Sequence, residues 1–446
     1  MKKLNLNLKK PFVVLVDVCK NGNRNVAASA CVMGLGQFMY KQWIKGFLFL
    51  FLQVAFIAFF ALYGAKAIAG FFTLGTVEAN PWFGIDGDNS VTMLIMGIFA
   101  FIILILYLVI YWGNVKDARK TQLRVENNRK PLSFKEEMKA LFDERFYVTA
   151  LFLPVLGVCV FCVLPIIFMI LIAFTNYGGN VIPPALVDWV GFDNFGRIVT
   201  LTQFAPTFFK ILVWNFLWAI LSTALNYFAG LGIALLYNKK CVKGKAFWRL
   251  FPVLAYAVPG FITLLAFKFM LSYGGPINQM IVNNGGKAIG FLDIDAKWSS
   301  RFIGLFVNCW LNVPSSMLLA TGILSNMNTD LYEAARIDGA SELKQFTHIT
   351  LPFVVFATTP IIISQFIANF NNFGIFYFLR GGLYTEGYFL ASDTDLLINW
   401  LFNLSISNNY YSIGATISII IFIITSVISL IVYARSSSYK QEDTFR

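Results

Sequence analysis

Two rows of uncharged polar side chains have the spacing to do chemistry. Asn308, Asn312 and Ser315 recur at i, i+4 and i+7, and so do Gln365, Asn369 and Asn372. On a helix each set shares one face. An amide offers two donors and an acceptor, which matches sugar hydroxyls. It carries no charge, which suits a neutral solute and disfavours an ion path. Leu311, Trp310, Phe370 and Phe373 stand beside these rows and offer apolar surface. Asn215, Ser222 and Asn226 make a third row that extends the same lining. The competing reading of all three rows is hydrogen bonding between helices, which is worth little per pair in a membrane.

Other chemistry is poorly supplied. His348 is the only histidine, so the chain has no His-based metal site, no Ser-His-Asp triad and no histidine relay of its own. Cys159 and Cys162 form a CxxC, but it lies in the apolar run LGVCVFCVLP without a nearby His or carboxylate. Two small buried side chains are the expectation there, not a metal or redox centre. No GxxxxGK[ST] loop is present, so nucleotide binding through that motif falls to another chain. No cofactor and no metal are expected, and the chain does not read as an enzyme.

The elements that must hold these rows are membrane helices. Of the 446 residues 58% are hydrophobic and 13% charged, too little charge to coat a soluble protein of this length. Eight apolar stretches are long enough to cross a bilayer, at roughly 46–64, 91–112, 147–175, 211–237, 250–271, 302–324, 353–376 and 413–434. The fold class is therefore all-α, polytopic, with eight transmembrane helices. Residues 26–40 are apolar but short and are interrupted by Gly34 and Gly36, which favours an interfacial helix. A basic region of more than 20 residues precedes them, which argues against a cleaved signal peptide.

The formal charge of +12 then reports orientation and not a nucleic-acid partner. With both termini cytoplasmic, the inside segments are 1–45, 113–146, 238–249, 325–352 and the tail. They carry 27 of the 35 Lys and Arg and 13 acidic residues, a net of +14. The outside loops carry 6 basic residues (Lys66, Arg197, Lys287, Lys297, Arg301 and Arg380) and 10 acidic ones, a net of −4. Lys210 and Lys268 lie near span ends, where a long side chain snorkels to the interface; a substrate or gating role is the other reading. No Asp or Glu falls inside the eight stretches, which argues against a proton-coupled secondary transporter. The spans also lack the convergent acid, base and nucleophile of an intramembrane enzyme.

The inside loop 325–352 is the most specific segment. It reads as helix, break, helix. Asp330 is a candidate N-cap with Glu333 three residues on, as in a capping box. Ala334 and Ala335 make a smooth face, Gly339 supplies the turn, and Ser341 caps the second helix. Pro352 falls at the start of the next span, where its missing N–H costs little. Glu333, Ala334, Ala335, Gly339, Ile349, Leu351 and Pro352 fit the pattern EAA-x3-G-x9-I-x-LP at every fixed position. In this pattern the chain resembles the permease subunits of ABC importers. The resemblance implies that this loop is the coupling helix, that Glu333 meets a basic group on an ATPase subunit, and that the alanine pair packs in its cleft.

Over most of 146–446 the chain is similar to maltose/maltodextrin permeases of the MalF type. The best segments are 252–259 (PVLAYAVP), 308–314 (NCWLNVP), 369–373 (NFNNF) and 395–400 (DLLINW). The resemblance implies a six-span core over 146–446 and a two-span extension over 46–145, after a cytoplasmic segment 1–45. It implies a second homologous permease, an ATPase dimer, an extracytoplasmic sugar-binding protein, a bacterial cytoplasmic membrane and maltodextrin as cargo, or another oligosaccharide. Nucleotide-driven closure of the coupling helices would switch the cavity between inward-facing and outward-facing states. Asn308, Leu311, Asn369 and Asn372 match residues that line the family's sugar site. Asn312 and Ser315 stand where the enteric subunit has Gly and Tyr, Gln365 replaces Ser, and Ala368 replaces an aromatic. The lost aromatics remove stacking surface and imply a sugar of different length or linkage, or a different way of binding it. A large extracytoplasmic domain found in some members is absent here, which points to a binding protein anchored at the cell surface.

Overall fold

The computed structural model describes residues 18, 21–144, 146–239 and 241–435. It divides into two compact units, Met1–Val190 and Gly191–Arg446. Among the described residues seven helices are long and apolar enough to cross a membrane, and a bent helix pair makes an eighth.

The first unit holds three spans, Trp43–Thr73, Ser90–Glu126 and Phe146–Ile172. The first two outrun their predicted limits because apolar or helix-forming residues continue past the hydropathy window. Lys66, expected in an outside loop, lies within the first helix for that reason. Asn89 caps the second span by accepting from Thr92 N (3.0 Å). Asp88 holds the preceding loop, its Oδ2 accepting from Thr76 N and Val77 N, and these bonds lower its pKa. The segment 26–40 forms two short helices, Arg24–Cys31 and Leu35–Met39, not one. They are stitched to the charged end of the second span by Asn114, whose Nδ2 donates to Ser29 O (2.9 Å) and whose Oδ1 accepts from Ser29 Oγ (3.1 Å). Lys45 pairs with Asp117 (2.9 Å) and with Glu137 beside them.

Cys159 and Cys162 are free and exposed, against the expectation of two buried side chains. The third span keeps most of its surface exposed, so an apolar run there signals a lipid-facing or partner-facing flank and not a core. No cluster of metal-ligating side chains occurs among the described residues.

The second unit is built around the fourth span, Ala205–Asn238, packed on the sixth, Lys297–Ser325, and on the seventh, Glu342–Arg380. Gly230 lets the fourth and sixth helices touch: a Cβ there would stand 2.5 Å from Ser316 Cβ. The eighth span is Tyr411–Arg435.

Two predicted spans are broken. The fifth, expected as one helix over 250–271, is a pair, Lys245–Ala257 and Gly260–Met270, bent by 88°. Pro259 pushes Val258 into extended backbone (φ −81°, ψ 131°) and contributes no N–H, so the helix stops and restarts. The seventh is helical over Leu351–Phe370, opens at residues 371–373, and resumes over Gly374–Arg380.

Candidate functional site: an amide-lined cavity and an exposed loop

The break in the fifth span opens a cavity of about 330 Å³ between the fifth, sixth and seventh spans. Asn308, Leu311 and Asn312 line one wall, and Asn372, Ile375 and Phe378 another. Tyr256, Val258, Phe261 and Leu264 complete it from the two half-helices. No charged side chain is in the lining.

The amides here are mostly committed to one another. Asn308 Nδ2 donates weakly to Asn369 Oδ1 (3.4 Å), and Asn308 Oδ1 accepts from Asn312 Nδ2 (2.9 Å). Asn372 Oδ1 accepts from Ile375 N (3.2 Å) and so restarts the seventh helix after its opening. Asn312 Oδ1 and Asn372 Nδ2 remain without a protein partner among the described residues, one acceptor and one donor on the same cavity.

Asn369, Gln365 and Ser315 stand outside this cavity. Asn369 is buried as a cross-brace: its Nδ2 donates to Thr223 Oγ1 (3.0 Å), and its main-chain oxygen accepts from Trp218 Nε1 (3.1 Å). Gln365 Nε2 donates to Ser316 Oγ (3.2 Å), and Ser315 Oγ bonds back to Asn312 O (2.8 Å) on its own helix. Shared helical phase puts residues on one face, but the opening of the seventh span at 371–373 turns Asn372 away from Asn369. In the third row, Asn215 bridges Phe370 O (3.1 Å) and Leu397 N (3.0 Å), while Ser222 Oγ and Asn226 Oδ1 are buried without a protein partner. The aromatics singled out beside the rows also lie elsewhere. Phe370 is buried in a core cluster, Phe373 stacks on Tyr377 (4.4 Å between centroids), and Trp310 packs edge-on to Phe267.

The loop 325–352 has the expected helix, turn and helix, with two corrections. Helix Asp330–Ile337 is capped from Asn328, whose Oδ1 accepts from Asp330 N (2.9 Å). Asp330 is the first helical residue, and no capping box forms at Glu333. Gly339 turns the chain at φ +75°, and Ser341 Oγ accepts from Lys344 N (3.4 Å) to cap Glu342–Gln345. Pro352 falls in the first turn of helix Leu351–Phe370, as expected, but no break precedes it: a π turn over Phe346–Thr350 joins that helix to Glu342–Gln345. Tyr332 Oη and Thr350 Oγ1 (2.8 Å) tie the first helix to the start of this long helix. Glu333, Ala334 and Gly339 are exposed, as are Leu331, Ile337 and Leu343, while Ala335 and Leu351 are half-buried and Pro352 is exposed. A tied knob is thus held out from the bundle, with Leu331, Ile337 and Leu343 exposed among the carboxylates of Asp330, Glu333, Asp338 and Glu342.

Residues 226–437 match the family described as binding-protein-dependent transport system inner membrane component. Over 94% of its length the chain is 37% identical to 99% of a galactooligosaccharides transport system permease protein of Bacillus subtilis. This chain belongs to that family of permeases. It is 33% identical, over 96% of its length and 99% of the relative's, to a maltodextrin transport system permease protein of Streptococcus pneumoniae. To a maltose/maltodextrin permease of Vibrio vulnificus it is 33% identical over 57% of this chain and 50% of that one. A chain in the crystal structure of a bacterial ABC transporter involved in alginate import superposes with a TM-score of 0.55 at 21% identity, covering 67% of this chain and 96% of that one. The permease is a transport component and not an enzyme, and its helical fold matches that of an ABC importer permease over 67% of the chain.

One feature of the permease gave no signal in its charge pattern. Arg380 and Arg301, both expected in outside loops, are buried. Arg380 Nη1 pairs with Asp393 (2.8 Å), and its Nη2 donates to Asp293 O (2.7 Å) and Ile294 O (3.1 Å). Arg301 stacks over Trp214 (3.8 Å) and donates to Asp393 O (2.6 Å). Asp395 accepts from Ser392 N (2.8 Å) and Ser392 Oγ (3.2 Å), and burial still pushes its pKa up to about 6. Trp214 Nε1 and Trp400 Nε1 bond Thr394 O (3.0 Å) and Phe389 O (2.8 Å). Lys210 reaches Gly387 O (3.1 Å) and lies over Tyr388, which uses its charge at the span end. The loop between the seventh and eighth spans is therefore clamped onto the ends of the fourth, sixth and seventh. Lys268 borders a separate cavity of about 240 Å³, beside the hydrogen-bonded pair Tyr273 and Asp293.

Proposed function

We propose that this permease imports a neutral oligosaccharide of the maltodextrin class across the bacterial cytoplasmic membrane, with both termini inside. One observation carries the cargo reading: the cavity at the broken span is lined by Asn308, Asn312 and Asn372 and by no charged side chain. Amides bond to hydroxyls without the cost of burying an ion. The relatives' names supply the sugar class. Galacto-oligosaccharides are the second reading, favoured by the 37% identity to a permease named for them.

The energy is supplied elsewhere. A separate ATPase dimer docks on the exposed knob around Glu333, Ala334, Ala335 and Gly339, with Leu351 and Pro352 passing the motion into the seventh span. A second homologous permease completes the path, and a binding protein delivers sugar from outside. Nucleotide binding favours the state with coupling knobs together, and hydrolysis releases it. Uptake of radiolabelled maltotriose and galactotriose by cells with and without this gene tests the reading. Loss of uptake of one of the two supports it, and unchanged uptake of both refutes it.

A further inference from the structure

We infer that the two halves of the broken fifth span supply the stacking wall for the sugar. Tyr256 and Phe261, with Phe378 behind, hold the C–H face of a pyranose ring, while Asn312 Oδ1 and Asn372 Nδ2 take its hydroxyls. This rests on the oligosaccharide reading above.

Amides alone hold a sugar poorly, because each bond they form replaces one to water and the net gain is small. Selective retention needs apolar surface that water leaves gladly, and an aromatic face is the best match to a ring's C–H face. That surface is missing from the polar rows. Residue 368 is an alanine, and Trp310, Phe370 and Phe373 face other neighbours. Within the cavity lining the aromatic side chains are Tyr256, Phe261 and Phe378.

Their convergence is a product of the break. On a straight helix positions 256 and 261 would point about 140° apart. The 88° bend at Val258–Pro259 turns both toward the cavity. Tyr256 and Phe261 keep open ring surface, at 56% and 51% exposure, whereas Phe378 is half-buried and backs Phe261 at 6.2 Å between centroids. Two open rings thus stand on the same cavity as one free acceptor and one free donor, and all are uncharged.

The test uses the whole transporter, this chain with its second permease, ATPase pair and binding protein, in proteoliposomes. Uptake of maltotriose or galactotriose, whichever the wild type carries, is followed alongside ATP hydrolysis stimulated by the loaded binding protein. Phe261→Leu and Tyr256→Leu are compared with the conservative Phe261→Tyr and Tyr256→Phe. Uptake at subsaturating sugar is expected to fall about 10-fold in the leucine variants and to stay within about 2-fold of wild type in the aromatic ones. Stimulated hydrolysis is expected to hold in all four. Wild-type uptake in the leucine variants overturns the stacking wall and leaves the oligosaccharide reading standing. Equal losses in leucine and aromatic variants, or a parallel loss of hydrolysis, also overturn it by showing a structural role. A wild type that carries neither sugar overturns both.

Discussion

Arg380 Nη1 lies 2.8 Å from Asp393 Oδ1, and both side chains are shut away from solvent. The same guanidinium bonds Thr394 Oγ1 and two main-chain oxygens at 293–294, so one side chain fastens three segments. Removing it strands a buried carboxylate and two carbonyls. Arg380→Met should therefore destabilise the permease by roughly 3–5 kcal/mol. Its thermal unfolding midpoint in detergent should drop well below that of wild type, and a midpoint within a degree of wild type would contradict the clamp.

Asp395 gives the clamped loop a pH dependence. Its pKa rises from the ordinary 3.8 to about 6 because burial disfavours the charge. The folded state then binds the proton more tightly than the unfolded one. Its stabilising contribution is fully present below about 3.8 and is lost as pH rises through about 6. Asp395→Asn removes the titration and keeps an acceptor for Ser392 N. At pH 7.5 it should stabilise by an amount on the order of 3 kcal/mol at most, and at pH 4 the gain should vanish. Melting curves of both proteins at the two pH values measure this, and a gain that grows toward acid would reverse the sign.

Glu333 is exposed and makes no ion pair among the described residues, so its folding role is limited to its place in the first turn of helix Asp330–Ile337. Glu333→Lys should shift stability by no more than about 1 kcal/mol. Sugar uptake should nevertheless be abolished, together with co-purification of the ATPase. A variant that melts normally and transports normally would remove the loop from coupling.

Gly339 is held at φ +75°, where a β-branched side chain is strained. Gly339→Val should cost about 1–3 kcal/mol locally and misalign the knob, lowering uptake further than Gly339→Asn, since Asn tolerates this region. Equal uptake by the two variants would show that the turn geometry is not transmitted.

Asn369 and Asn312 should separate in a paired measurement. Asn369 braces Thr223 and Asn308, so Asn369→Leu should cost about 1–2 kcal/mol of stability as well as transport. Asn312 bonds only within its own helix and keeps Oδ1 on the cavity. Asn312→Ala should cost less than about 0.5 kcal/mol yet still lower uptake. Thermal unfolding with uptake on the same preparations decides it, and a larger stability loss at Asn312 than at Asn369 would refute the assignment.

The sequence by itself determined the features that rest on consecutive residues. Hydropathy runs gave the places of the spans, because a chain that crosses a bilayer needs a long apolar stretch whether its helix is straight or broken. The loop at Glu333, Gly339 and Ser341 was equally legible, since its turn and its second cap depend on residue type within a few positions. The π turn over Phe346–Thr350, which joins the second loop helix to the span without a break, was not. Tertiary structure alone decided which side chains share a space. Asn369 and Asn372 follow one helical face in the sequence, yet an opening at 371–373 sends one into the helix packing and the other to the cavity. Tyr256 and Phe261 show no common face until Pro259 breaks their helix. Arg301 and Arg380 look like loop charges until distant carboxylate and carbonyl oxygens enclose them. Helical phase is local and fixed by backbone geometry. Burial and partnership depend on contacts between residues far apart in the chain, and no spacing rule records those.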